Sequence, residues 1–243
     1  AEDSVVRLEV LPAEAGPDGK HVFVNLVRKP ISLQDQSAKS SVQSVTDGKV
    51  TRNIGVIALP SFYEDFAAKQ KGTPDYKSTT RDVALLIKEL KAKKVDAIVM
   101  DLRNNGGGSL SEAVELTGLF IGKGPVVQVR NASGQVRVES SRQADVAWDG
   151  PLGVLVNRNS ASASEIFAAA MQDYGRGLIV GEPSFGKGTV QTMINLDRIA
   201  KSEKPQLGEL KLTIAQFFRI NGGTTQLRGV TPDVTFPTVL DTG

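Results

Sequence analysis

Lys187 is the residue whose surroundings most invite chemistry. It lies in Gly181-Glu-Pro-Ser-Phe-Gly186-Lys187-Gly188-Thr189. G-x-x-x-x-G-K followed by Ser or Thr is the loop that cradles phosphates, and S-x-x-K, here Ser184 to Lys187, pairs a serine with a lysine. The phosphate reading fails at position 188, a glycine where a hydroxyl is needed. It fails again in "TVQTMINL", which alternates like a strand, because a phosphate loop must open a helix whose N-terminus holds the anion. The S-x-x-K reading needs a helical turn to put both side chains on one face. Pro183, Gly186 and Gly188 discourage that turn. If Lys187 serves a serine, that serine comes from elsewhere in the chain.

The segment "VLVNRNSASASEIFAAAMQDYG" offers three. A buried-type strand runs into serines alternating with alanine, and a helix follows. Ser162-Ala-Ser-Glu165 fits the S-x-x-E capping box. The same geometry directs backbone N–H groups and the positive end of the helix dipole at the serine, which favours an alkoxide or oxyanion beside it. Capping and catalysis both stay open at this point. A serine needs a base to become a useful nucleophile. The chain has no cysteine and a single histidine, His21, in an extended-looking segment near the N-terminus. Thiol nucleophiles, disulfides and Cys or His metal centres are thereby removed, and a Ser-His-Asp triad would have to recruit His21. Lysine is the natural remaining base, provided that partial desolvation lowers its pKa from about 10.4 toward roughly 7–8. "MDLRNNGGGSL" supplies the third element: a buried strand ending near Asp101 opens into three glycines before a helix. Such a run costs backbone entropy. It is either a tight strand-to-helix turn or a place where N–H groups face a ligand, as in an oxyanion hole.

The surrounding pattern must position these pieces. "NIGVIALP", "VDAIVMDLR", "PLGVLVNR" and "GLIVGE" read as buried strands. "STTRDVALLIKELKAKK", "SLSEAVELTGLFIG" and "SASEIFAAAMQDYG" read as helices between them, the first with Val83, Leu86, Ile87 and Leu90 at helical spacing. This alternation predicts an α/β core with buried, largely parallel strands. "PVVQVRNASGQVRVES" predicts a hairpin, and "TVQTMINL" and "ELKLTIAQFFRI" two further strands. Upstream, "VVRLEVL" and "HVFVNLVR" pair as a hairpin without visible partners, and the polar stretch Ser32 to Lys49 reads as a linker. The net charge of +2 gives no electrostatic case for nucleic acid. No apolar run reaches the roughly 20 residues of a membrane helix. The opening "AEDSV" shows no signal peptide and reads either as that of a cytoplasmic protein or as that of a processed or trimmed piece of something larger.

Taken together, "DLRNNGGG", "NSASASEIFAAAMQDYGR", "VGEPSFGKGTVQ" and "NGGTTQLRGVTPDV" closely resemble the C-terminal processing peptidases, or tail-specific proteases, in order and spacing across most of residues 50 to 235. The resemblance implies Ser162 as nucleophile, Lys187 as base 25 positions on (187 − 162), and Gln191 as the residue that orients the lysine. It implies an oxyanion hole from the amides of Ala163 and Gly108, and a supporting role for Asp173. It implies a crotonase-like or Clp-protease-like α/β fold, no metal or cofactor, and protein substrates with apolar C-termini, with an adaptor as a further partner. A PDZ domain precedes the protease core in that family. Residues 1–45 then read as the last strands of a truncated PDZ domain plus linker, and 46–243 as the serine protease core. The large bacterial members are periplasmic, with which the absence of cysteine agrees. The alternatives are a catalytically inactive peptide-binding core and, less well supported, a nucleotide-binding protein.

Overall fold

The computed structural model describes residues 2–29, 37–201 and 207–237. The chain divides into two compact units, residues 1–35 and 36–243. The first contains β1 (Val5–Val10) and β2 (Val22–Val27), paired antiparallel as a sheet of two strands. The second unit has two sheets. A six-stranded sheet is built from β3 (Lys39–Asp47), β4 (Val50–Ala58), β5 (Ala97–Asp101), β8 (Leu152–Val156), β9 (Leu178–Gly181) and β12 (Val234–Thr235), in the spatial order β12-β9-β8-β5-β4-β3. A four-stranded sheet is ordered β10-β11-β6-β7, from β6 (Gly124–Asn131), β7 (Val136–Ser141), β10 (Thr189–Asn195) and β11 (Glu209–Phe218). The expected mostly parallel core is present, since every pair in the six-stranded sheet is parallel except β3 with β4.

The polar linker expectation is corrected in part. Residues 32–36 lie outside the described residues, but 39–47 form β3, paired along its whole length with β4. The stretch carries only Val42 and Val45 as apolar residues within the strand, three apart instead of alternating. Most of its side chains are exposed. An edge strand of this kind is held by its backbone ladder and not by burial, so hydrophobic periodicity does not announce it.

Three long helices cover the parallel sheet: α2 (Thr79–Ala92), α3 (Leu110–Ile121) and α4 (Ala163–Asp173). Short helices α1 (Phe66–Gln70) and α5 (Leu196–Ala200) were not legible in the sequence. In α2 the apolar spacing works as expected: Val83, Ile87 and Leu90 are fully buried, while Leu86 is only half-buried. The α3–α4 contact is anchored by Phe120 and Phe167, both buried, meeting edge-to-face with centroids 5.6 Å apart. Burying each ring stabilises the fold by about 1.5–3 kcal/mol. The consequence for function is geometric. Because β4, β5, β8 and β9 run parallel, the loops that leave their C-terminal ends emerge at one edge of the sheet, which is where open α/β sheets form their sites. Those loops carry Phe62, the triple glycine, Ser162 and Lys187.

Candidate active site

The run of three serines resolves into three jobs. Ser160 is fully buried and donates through Oγ to the Leu102 carbonyl at 2.8 Å. Ser164, also fully buried, donates to the Asn105 carbonyl at 2.9 Å. Both therefore tie the start of α4 to the loop after β5. Ser162 alone is half-exposed. Of the capping box that S-x-x-E predicts, the Glu165 half is made, its carboxylate accepting from the Ser162 N–H at 2.7 Å, while the Ser162 side chain makes no cap hydrogen bond. The Ser162 backbone sits at φ 58°, ψ −110°. A non-glycine residue held there costs on the order of 1–3 kcal/mol, strain that tends to collect where side-chain placement matters.

Lys187 reaches this serine. Its Nζ lies 3.5 Å from Ser162 Oγ, the outer limit of a hydrogen bond, and donates to the Thr189 carbonyl at 3.0 Å. Its pKa is held below the usual lysine value, first by burial of the ammonium group and then by the positive charge of Lys211 on β11; Glu165 opposes this by Coulombic attraction. The direction is the one a base requires, since lowering a lysine pKa increases the neutral fraction near pH 7. The loop is able to deliver the lysine because Gly186 adopts φ 92°, with the amides of Arg228 and Gly229 about as close as a side-chain carbon could tolerate.

Glu165 does more than cap its helix. It is fully buried and accepts from four donors: Ser162 N–H, Ser184 Oγ–H at 2.6 Å, Gly186 N–H at 2.7 Å and Lys187 N–H at 2.9 Å. One carboxylate thus fixes the serine backbone and the lysine loop to each other. The sequence signalled Glu165 only as a cap, because its second role depends on residues 184–187 folding back onto α4.

The triple glycine is the close approach anticipated from its cost. A side-chain carbon on Gly107 would lie 2.7 Å from the Ala161 carbonyl, 2.8 Å from Ser162 Cβ and 3.0 Å from the Ala163 nitrogen. Asn105, fully buried, holds this loop: Nδ2 donates to the Leu59 carbonyl at 2.8 Å and Oδ1 accepts from the Gly107 N–H at 2.9 Å. The Gly107 amide is therefore occupied. The amides of Gly108 and Ala163 have no partner among the described residues. Ala163 opens α4, where the first amides lack intrahelical acceptors. Two unsatisfied donors thus flank Gly107 beside Ser162.

Two expected residues are not drawn in. Gln191 is exposed on β10 and makes no hydrogen bond to Lys187. Asp173 closes α4 at the far end, eleven residues on from Ser162 and so about 16 Å away at roughly 1.5 Å per residue. There it pairs with Arg219 at 2.6 Å and accepts from Asn221 Nδ2 at 2.9 Å, with both charged side chains mostly buried. That contact anchors the turn after β11 to the helix. His21 pairs with Glu9 in the β1–β2 unit. Among the described residues no group of His, Asp and Glu could hold a metal ion, and no helix is long and apolar enough to cross a membrane.

Comparison with known proteins agrees with this arrangement. The family described as Peptidase family S41 matches residues 53–236. A tail-specific protease of Haemophilus influenzae is 47% identical over 236 residues, covering 97% of this chain and 31% of the relative. A carboxy-terminal-processing protease of Bartonella bacilliformis is 33% identical over 235 residues, covering 93% of this chain and 49% of the relative. The chain thus spans a third to a half of the length of these relatives. Among solved structures, a photosystem II D1 C-terminal processing protease superposes with a TM-score of 0.67 at 28% identity, over 96% of this chain and 56% of that one. The sheet and helices described above, with the loops that gather at their edge, are those of an S41 peptidase, and the chain belongs to peptidase family S41.

Proposed function

We propose that this chain is the proteolytic core of a serine endopeptidase that uses a Ser162–Lys187 dyad. The observation that carries the reading is the approach of Lys187 Nζ to Ser162 Oγ beside two unpaired amides. Neutral Lys187 accepts the hydroxyl proton as Ser162 Oγ attacks the scissile carbonyl carbon. The oxyanion is held by the Gly108 and Ala163 amides, donors already fixed in place before charge develops. Lys187 returns the proton to the leaving amine, and an acyl-enzyme remains on Ser162. Water, deprotonated by Lys187, then releases the acyl group. No step calls on a metal or cofactor.

The peptide enters as an added strand. β10 is the edge of its sheet, begins two residues after Lys187, and has backbone groups free on one side for an extended chain. Gln191 orients Lys187 once that strand is occupied. The β-bulge between Val190 and Gln191 supports this, because bulges re-aim side chains next to active sites. Gln191→Ala should slow cleavage less than Lys187→Ala and displace the pH–rate midpoint; an unchanged pH dependence removes the orienting role.

The names of the relatives support substrates selected by their C-terminal tails; the reading adds a preference for apolar tails and an adaptor protein that presents some of them. In this reading β1 and β2 are the last strands of a PDZ domain, and the protein works in the periplasm. The test is covalent labelling with a serine-directed fluorophosphonate, followed by mass spectrometry. The expected adduct is on Ser162 and disappears in Ser162→Ala. A correctly folded chain that takes no label at Ser162 would instead be a peptide-binding core.

A further inference from the structure

Two apolar side chains beside the dyad have no structural employment. Phe185 is 63% exposed and Leu227 is 88% exposed. Phe185 is joined to the serine run, its N–H donating to the Ser160 carbonyl at 2.9 Å. Leu227 lies on the loop after β11 and donates its N–H to the Gly186 carbonyl at 2.8 Å, one residue before Lys187. The two loops are further tied by the Gly188 N–H to Gln226 Oε1 at 2.7 Å and the Val230 N–H to Ser184 Oγ at 2.7 Å. The order Ser160, Phe185, Gly186, Leu227 is thus a hydrogen-bonded path that passes directly by the reacting pair.

Leu227 bears two costs at once. Its φ of 60° lies in the left-handed region that a branched residue avoids. Its side chain gains almost nothing from burial. Glycine or asparagine would serve a turn better. A fold that needed only the turn has no use for leucine here, and the lysine loop next to it displays a phenylalanine.

Resting on the peptidase reading above, we infer that Phe185 and Leu227 form an apolar lip that takes a hydrophobic side chain of the peptide flanking the scissile bond. The occupant is an extended peptide because Phe185 lies two residues from Lys187 and Leu227 is hydrogen-bonded to Gly186, the residue before it. A second copy of the chain is disfavoured because two side chains fall far short of the roughly 800 Å² per partner that a stable interface buries. A peptide side chain needs only such a small surface.

The test separates this inference from the reaction itself. Two fluorescent peptides that differ only in a central Leu or Ser are offered to the full chain. Wild-type cleavage that is lost in Ser162→Ala establishes the peptidase reading by itself. Affinities are then measured without turnover, in Ser162→Ala with and without Leu227→Gly. The Leu peptide should bind about tenfold or more tightly than the Ser peptide. Leu227→Gly should erase most of that ratio, Leu227→Met should retain it, and Phe185→Ser should reduce it. Leu227→Gly should leave the Tm equal or higher, because glycine relieves the backbone strain. An unchanged ratio in Leu227→Gly, or a lost ratio accompanied by a lower Tm, overturns the inference. So does a wild-type dimer that dissociates in Leu227→Gly while peptide preference persists, which would give the lip to a second copy.

Discussion

Helix α4 carries at its two ends residues of similar type and opposite use. At the N-terminal end Ser162 is half-exposed, strained in φ, and within reach of Lys187, while the buried Glu165 accepts four hydrogen bonds. At the C-terminal end Asp173 is locked to Arg219 and Asn221, and among the described residues no non-glycine residue beside it has a positive φ. Both ends use a buried carboxylate to hold a loop. Only at the first does that loop deliver a desolvated cation to a hydroxyl next to unpaired amides. Burial of a charged residue therefore does not distinguish the two ends; the strained serine and the approach of a lysine to its hydroxyl do.

The largest effect belongs at the N-terminal end. Lys187→Ala should lower kcat by about 10²–10⁴-fold, the range for loss of a positioned base, and Ser162→Ala by at least as much. Steady-state cleavage of an unfolded protein with an apolar C-terminus checks both. Wild-type rates in either variant would erase the distinction between the ends.

Glu165→Gln comes next. The amide keeps one acceptor and presents two N–H donors to a ring of donors, so the lysine loop loses its anchor. Stability should fall by about 2 kcal/mol, and kcat by roughly 10–100-fold when corrected for the folded fraction. Thermal unfolding and active-site titration separate the two. A stability loss with normal turnover would make Glu165 a cap like any other.

Lys211→Met tests the electrostatics with less disruption. Removing this positive charge raises the pKa of Lys187, because Lys211 is one of the causes that lower it. The neutral base then appears only at higher pH, so the rising limb of the pH–rate profile moves to the alkaline side and the rate near pH 7 falls a few-fold. Since Lys211 is exposed, salt should shrink the difference. A shift to the acid side would contradict the assignment.

Asp173→Asn should have the smallest effect on turnover. Loss of the charge opposite Arg219 should cost about 1–3 kcal/mol of stability, with kcat per folded molecule within about threefold of wild type. A folded Asp173→Asn protein without activity would move the chemistry toward the other end of the helix.

What could be read from the sequence follows the physical source of each signal. β4, β5, β8 and β9 were legible because strands covered by helices are continuous apolar runs, and α2 because Val83, Ile87 and Leu90 repeat on one face. β3 was not legible because its stability lies in backbone hydrogen bonds. Ser162 and Lys187 were legible as residue types left over once Cys and His were excluded, with their pairing supplied by the family resemblance. The geometric bond between Glu165 and residues 184–187 was not, since it joins positions about twenty apart through a loop. Nor was the influence of Lys211, which arrives from a neighbouring strand. Asp173, expected in a supporting role, sits at the other end of α4 from Ser162, where it holds the turn after β11 to the helix.

The central claim is that Lys187, with its pKa lowered by burial, removes the proton from Ser162. Phosphonylation of Ser162 by a fluorophosphonate, in which Oγ attacks phosphorus and fluoride leaves, followed in a single turnover across pH, reads that step without product release. The account predicts a rate that rises with pH to a plateau through a midpoint below the ordinary lysine value, and near-complete loss of phosphonylation in Lys187→Ala. A rate that is flat across this range, or phosphonylation at wild-type speed in Lys187→Ala, would contradict it.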